Sequence, residues 1–232
     1  MLTKILTAAI LASGIALGGF FIAHGFTTAR AYHRYVQVKG LAEKTVKADQ
    51  AIWNVNIKLV NNELPVLYQA IDDAQAKTRQ FLNRQGFKSH EISMNPVAVT
   101  DNQSMSYNQA QDLPRFSADA GLTINTTDVD KIAESLQKTG DLVQQGIVVT
   151  ASSVVYRYNN LNAIKPAMLD EATQNAYDAA LSFANNAKAS LGHIRRAMQG
   201  LFTITDANSN YDSGNDIMKK IRVVTTVEYQ LK

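Results

Sequence analysis

Histidines and acidic pairs are the residues of this chain whose types could do metal or acid/base chemistry. The four histidines are His24, His33, His90 and His193. A zinc site on a helix needs two histidines about four residues apart, with a carboxylate or cysteine nearby. No histidine has that spacing, and the neighbours His90 and Glu91 would point to opposite faces of a strand. We therefore expect no metal site.

Adjacent carboxylates could serve as a general acid and a general base in hydrolysis. The candidates are Asp72 with Asp73, Asp128 with Asp130, and Asp170 with Glu171. Each pair falls near a predicted helix N-terminus or on a solvated helix face, where the helix dipole or water favours an acid. The sequence also lacks G-x-S-x-G, G-x-x-x-x-G-K-[ST] and G-x-G-x-x-G. We expect no catalytic residues, no cofactor and no enzymatic activity.

Two polar stretches, residues 101–112 and 206–216, interrupt the apolar pattern and are rich in Asn, Gln, Ser and Asp. This composition predicts long hairpin loops. Tyr107 and Tyr211 each lie alone near the middle of one stretch, so both are candidate contacts for a polysaccharide or a partner chain. Solvated connectors with partly exposed tyrosines are the alternative interpretation.

The elements that would position these residues follow a long apolar segment. Residues 5–26 contain no Lys, Arg, Asp or Glu. As a helix they would extend roughly 33 Å, enough to cross a hydrocarbon core of about 30 Å. Residues 1–31 are therefore predicted to be a retained signal anchor. The alternative is a signal peptide cut after Ala31, since Ala29-Arg30-Ala31 has a small-x-small form.

Small residues recur within this segment at helical spacing. Gly14 and Gly18 form a GxxxG pattern, and Gly19 with Ala23 continues it. Residues four apart share one helix face and allow two backbones to approach closely in lipid. The pattern favours packing of this helix against a second copy, with ordinary lipid-facing residues as the alternative.

The charge of the chain excludes a phosphate-binding surface. Of the 23 Lys and Arg residues, Lys4 and Arg30 precede residue 32, which leaves 21 basic against 20 acidic side chains, interspersed along the rest. We expect no nucleic-acid partner. The cationic residues after the segment outnumber Lys4, which favours a cytoplasmic location, but large domains translocate with little regard for local charge. Charge alone leaves the orientation open.

Residues 32–232 carry the patterns of an α+β domain. Period-two alternation predicts strands, beginning with a hairpin that turns at residues 48–50, and spacing of three and four predicts helices. The order is ββαββ followed by αβαββ, a largely antiparallel arrangement packed on helices. The longest helix is expected from residue 162 to 191, with an alanine stripe that also includes Phe183. No Pro/Gly/Ser-rich linker divides these residues, which favours one compact domain.

Three short motifs in this order are similar to those of a known family. Val36-Gln37-Val38-Lys39-Gly40 followed by Ala42 resembles the V-x-V-x-G-x-A/G start of SIMPL-domain proteins. Ala187-Lys188-Ala189-Ser190-Leu191-Gly192 resembles that family's A-x-x-x-L-G helix exit, and Val223-Val224-Thr225-Thr226-Val227-Glu228-Tyr229 resembles its closing strand. The resemblance covers about residues 33–232.

The resemblance implies a bacterial cell-envelope protein without established catalytic residues, from a family in which some members form rings or channel-like oligomers. It also implies a periplasmic location and a link to envelope or oxidative stress. We therefore expect a non-enzymatic protein with one pass through the inner membrane and its main domain in the periplasm. It would bind copies of itself or another envelope protein. The alternative is a secreted, soluble binding module for a small molecule or glycan, released by cleavage of residues 1–31.

Overall fold

A computed structural model describes residues 11–24, 34–104 and 114–232. It has the expected α+β architecture with antiparallel sheets. The helices are α1 (11–24), α2 (Leu64–Arg84), α3 (Val129–Leu136), α4 (Gly140–Gln144) and α5 (Leu161–Asn186). The strands are β1 (Tyr35–Lys47), β2 (Gln50–Asn61), β3 (Ile92–Met94), β4 (Ala98–Asp101), β5 (Phe116–Thr126), β6 (Val149–Arg157), β7 (Leu191–Gln199), β8 (Thr203–Asp206) and β9 (Met218–Leu231).

The chain forms two compact units. Unit 1 comprises Met1–Lys44, Asn162–Thr203 and Arg222–Lys232, within the described residues, and unit 2 comprises Thr45–Leu161 and Ile204–Ile221. The chain passes between the units within strands or at the ends of elements. No linker composition therefore marks the division.

Unit 2 is built on the five-stranded sheet in which β2 lies between β5 and β6, antiparallel to both. The short strands β3 and β4 both pair with β5. Trp53, Val55 and Ile57 alternate along β2 and are fully buried. Helix α2 buries the residues predicted from its spacing: Leu67, Ile71, Ala74, Thr78, Phe81 and Leu82. The period-two and helical patterns thus specify the two sides of one core.

Unit 1 joins β1, β9 and β7, with β9 in the middle, to the long helix α5. Ala172, Ala176, Ala180 and Ala184 are fully buried, as the alanine stripe predicted. A Cβ built on Gly40 of β1 would lie 1.8 Å from the Ala172 carbonyl oxygen. Strand and helix therefore approach at a distance that only glycine permits. Small side chains on both elements make this contact.

Several expected details of these elements are wrong. The first two strands do not form a hairpin, because β1 pairs with β9 whereas β2 pairs with β5 and β6. The turn amides of Ala48 and Asp49 instead donate to the carbonyls of Ile217 and Arg157. Helix α5 ends at Asn186 rather than residue 191, and Phe183 is 62% exposed rather than part of the buried stripe.

The predicted strand over residues 91–100 consists of two short strands, β3 and β4, with Asn95, Pro96 and Val97 between them. Proline has no amide hydrogen to donate to the sheet, so pairing is interrupted there. The N-cap of α3 is Asp128, whose carboxylate accepts from the Lys131 amide, rather than Thr127. Gly140 begins α4 instead of ending α3.

Helix α1 contains the described part of the predicted anchor. Its large apolar side chains, which are Leu11, Ile15, Leu17, Phe20, Phe21 and Ile22, are between 58% and 69% exposed. Among the described residues, no helix is both long enough and apolar enough to span a membrane. Residues 5–10 and 25–31 of the predicted segment, and the boundary between residues 31 and 32, lie outside the described ranges.

Candidate functional site

The outer face of the unit 2 sheet is polar because β2 alternates apolar and polar residues. Asn54, Asn56 and Lys58 lie on the side opposite the buried Trp53. In the neighbouring strand β5, Asp119 pairs with Lys58. This face therefore presents amide and charged side chains to solvent or to a ligand.

Irregular pairing disturbs this face on both sides of Asn56. Met94 pairs with Leu122 and Ala98 with Asp119, so the three residues 95–97 face only the two residues 120–121. In β6, Asn56 pairs with Ala151 and Ile57 with Val149, which leaves Thr150 as an extra residue. Bulges redirect side chains and bend strands, and they are enriched beside functional sites.

The two irregularities border an open groove of about 290 Å³. Its lining combines polar and small apolar residues: Asn56, Asn95, Pro96, Ala98, Asp119, Ala120 and Thr150. All seven belong to unit 2. The groove is the candidate functional site because both departures from regular pairing meet there.

Hydrogen bonds hold one wall of the groove in place. The Thr123 hydroxyl oxygen lies 2.7 Å from the side-chain oxygen of Asn54 and 2.7 Å from that of Asn95. The hydroxyl has one hydrogen, so it can donate to only one of the two at a time. The Asn95 amide also donates to the Gly121 carbonyl at 3.0 Å. Asn95 is therefore positioned by both its side chain and its backbone.

Other polar groups of the groove remain available. Within the described chain, the Asn56 side-chain amide makes no hydrogen bond, and its backbone carbonyl accepts a long one from the Thr150 hydroxyl at 3.5 Å. The Asp119 carboxylate lies 3.9 Å from the Lys58 ammonium, and both side chains are about half exposed or more. Together these side chains can donate and accept hydrogen bonds with no net charge. None of the seven lining residues is a histidine or a nucleophilic serine.

A separate buried ion cluster orders the second polar stretch. The Lys219 ammonium is fully buried and lies 2.5 Å from Asp206 Oδ1 and 2.7 Å from Asp212 Oδ1. The Ser213 amide donates to the other oxygen of Asp206 at 2.9 Å, and the Ser213 hydroxyl donates to the same oxygen. Four side chains thus join both ends of the loop between β8 and β9.

The pKa values of this cluster reflect competition between burial and pairing. Burial raises the pKa of Asp206, but the hydrogen bonds from Lys219 and Ser213 outweigh it and hold that pKa far below its usual range. Burial lowers the pKa of Lys219, and the bonds to Asp206 and Asp212 outweigh it, so that pKa is raised. Both groups are therefore charged at neutral pH. The cluster is satisfied internally and functions as a structural clamp.

The sequence-predicted site residues do not converge. Gly14, Gly18 and Gly19 lie on α1, and a Cβ added to any of them meets nothing within 4 Å. Tyr211 lies in the clamped loop and is 69% exposed, whereas Tyr107 lies outside the described residues. The groove was not predicted from the sequence; its signals there are the Asn-rich outer face of β2 and the proline between β3 and β4.

His90 and Glu91 lie in a short 3₁₀ helix, Ser89–Glu91, and not on the expected strand. The Glu91 carboxylate accepts hydrogen bonds from the Lys88 amide at 2.7 Å and from the Thr126 hydroxyl at 2.6 Å. Burial opposes the charged form, but these bonds outweigh it and lower the pKa of Glu91. In the described parts of the chain, no three His, Cys, Asp or Glu residues cluster to hold a metal ion.

Comparison with known families decides what kind of protein carries this fold. The family model SIMPL, described as "Protein of unknown function (DUF541)", matches residues 36–228. The chain belongs to the SIMPL family. The match covers most of both units of this SIMPL protein, including Gly40 at the strand–helix contact. A comparison with curated proteins gave no match.

Proposed function

We propose that this SIMPL protein is a membrane-anchored component of the cell envelope that acts by binding rather than by catalysis. Its N-terminal segment is retained in the inner membrane, and the two units face the periplasm. There they assemble with copies of the same chain or with another envelope protein. The family resemblance supports the periplasmic side and a link to envelope or oxidative stress.

The observation that carries the proposal is the exposure of the apolar side chains of α1. Leu11, Phe20 and Phe21 are each more than 60% exposed. Exposing an aromatic or leucine side chain to water instead of burying it costs about 1.5–3 kcal/mol. A helix with such side chains all around it is typical of a buried or membrane-embedded helix. The uncharged run from residue 5 to 26 extends this character beyond the described helix.

Self-association through α1 is the part of the proposal that mutation can isolate. All described residues of α1 are exposed, and on the face of Gly14 and Gly18 the missing side chains would let a second helix approach most closely. Cysteine-free chains crosslink through lysines, so amine-reactive crosslinking in intact membranes measures the assembly. We expect Gly14→Leu with Gly18→Leu to reduce the crosslinked species. Ala16→Leu lies on the opposite side of the helix and is the matched control.

A crosslinking pattern that is the same in the glycine variant and in the control would reject assembly through α1. A strict monomer, both in membranes and in light scattering of the purified full chain, would reject self-assembly altogether. In that case, partner binding would have to be sought by identifying proteins that co-purify from detergent extracts.

The groove in unit 2 favours a second candidate function, a secreted binding module for a small molecule or glycan. This candidate requires cleavage after Ala31. N-terminal sequencing of the native protein separates the two functions. A chain that begins at Met1 supports the anchored component, and a chain that begins at Tyr32 supports the released module.

A further inference from the structure

The geometry points to the unit 2 groove as a binding site for one uncharged sugar unit. The inference rests on the second candidate function, binding of a small molecule or glycan, and deepens it by naming the ligand class; the groove itself is the same whether the N-terminal segment is retained or removed. It rests on the size of the groove, its charge, the hydrogen-bonding groups without partners, and the two irregular strand segments that form its sides.

The size of the groove favours a small ligand. Its volume is about 290 Å³, at the lower end of the range of about 300–1,000 Å³ that is typical of ligand pockets. A peptide added as an extra strand would need an unpaired strand edge, but this groove opens on the face of a sheet. A single compact ring fits these limits better than a chain does.

The charge of the groove favours a neutral ligand. Asp119 is the charged residue of the lining, and its side chain lies 3.9 Å from that of Lys58, on paired positions of β5 and β2. Their charges offset each other. An anionic ligand would be repelled by Asp119 in the lining, and the nearby Lys58 ammonium offsets the attraction of Asp119 for a cationic ligand.

The available hydrogen-bonding groups suit neighbouring hydroxyls. The Asn56 amide can donate and accept, and the Asp119 carboxylate can accept. The side-chain nitrogen of Asn95 makes no hydrogen bond within the described residues, although its oxygen is held by Thr123. A sugar hydroxyl both donates and accepts, so two adjacent hydroxyls can engage an amide and a carboxylate together.

Apolar groups complete the fit. Pro96 and Ala98 offer small apolar surfaces beside these polar side chains, whereas the Ala120 side chain packs with Leu67 and Ile71 on the other face of β5. The carbon–hydrogen faces of a sugar ring can pack against such small apolar surfaces while its hydroxyls reach the polar groups. The bulge at Thr150 and the break at Pro96 hold the opposite walls apart, so the site exists before the ligand arrives.

Saturation-transfer NMR on the full-length chain in detergent micelles tests the inference. The probes are glucose and N-acetylglucosamine as neutral sugars, with glucosamine and glucuronate as cationic and anionic counterparts. We expect transfer to at least one neutral sugar at millimolar concentration, and tighter binding of that sugar than of the charged ones. Absence of transfer to both neutral sugars, or tighter binding of a charged one, would overturn the inference.

Variants locate the binding. Asn56→Ala and Thr150→Val should each weaken the sugar affinity, about fivefold for the loss of one net hydrogen bond of about 1 kcal/mol. Asn125→Ala is the matched control, because Asn125 lies on the same strand and face as Asp119 but its side chain accepts a hydrogen bond from Gln50 outside the groove.

Fluorescence of the single tryptophan, Trp53, verifies folding of unit 2 in each variant. Unchanged affinity in both folded groove variants would also overturn the site. Membrane anchoring is measured in a separate experiment, so a chain that proves not to be anchored would leave the sugar-binding result unchanged.

Discussion

The ammonium group of Lys219 lies 2.5 Å from a carboxylate oxygen of Asp206, and the lysine side chain is completely excluded from solvent. Lys219 is in β9 and Asp206 ends β8, so this ion pair bridges the two strands at the base of their connecting loop. Asp212, within the loop, completes the cluster at 2.7 Å. The cluster thereby ties the polar loop between β8 and β9 to the ends of both strands.

Removing the positively charged side chain of Lys219 should strongly destabilise unit 2. Lys219→Ala leaves the Asp206 carboxylate buried without its partner, and breaking a buried ion pair in this way costs about 3–5 kcal/mol. Urea unfolding followed by Trp53 fluorescence measures the change. The control is Lys220→Ala, a neighbouring lysine on the more exposed side of β9, which should change stability by less than about 0.5 kcal/mol. Equal effects of the two variants would contradict the clamp.

The ion cluster should also make the free energy of unfolding decrease in acid. The pKa of Asp206 is far below its ordinary value of 3.8 in the folded chain, so the unfolded state binds the proton first as pH falls. The stabilisation is therefore complete above about pH 5 and is lost as the pH falls below about 4. The stability difference between wild type and Asp206→Asn should be constant from pH 5 to neutrality and shrink below pH 4. A difference that grows in acid would have the wrong sign.

The strand–helix contact in unit 1 should not tolerate a single added methyl group. In Gly40→Ala the new Cβ would overlap the backbone of Ala172 and Ala176, which cannot move aside like a flexible side chain. Overpacking of this kind costs about 1–3 kcal/mol and sometimes more. Gly140→Ala is the matched control, since its Cβ meets nothing within 4 Å at the start of α4. Thermal unfolding by circular dichroism should separate the two variants clearly.

The sequence predicted the local elements well where one physical pattern dominated. The spacing of Leu67, Ile71 and Phe81 specified the buried face of α2, and the alternation from Trp53 specified β2. It failed on the partners of β1, because a turn between two strands has the same composition whether they pair with each other or enter different sheets. The hydrogen bonds of Ala48 and Asp49 that decide this come from residues more than 100 positions away.

The candidate groove could not be predicted because it depends on register. A one-residue offset between β6 and β2 leaves Thr150 as an extra residue, and a second offset places residues 95–97 against only two residues of β5. Such offsets arise from long-range pairing and carry almost no local signal apart from Pro96. The buried Lys219 was missed for a related reason, since a lysine in an alternating strand is normally a solvated residue until its carboxylate partners are known.

The proposed envelope function depends first on retention of the N-terminal segment in the membrane. The direct measurement is sedimentation of lysed cells that contain the full-length protein, followed by alkaline washing of the membrane pellet and sequencing of its N-terminus. We predict that the chain stays in the washed pellet with Met1 in place. Recovery of the intact chain, with Met1 still present, in the high-speed supernatant would contradict it.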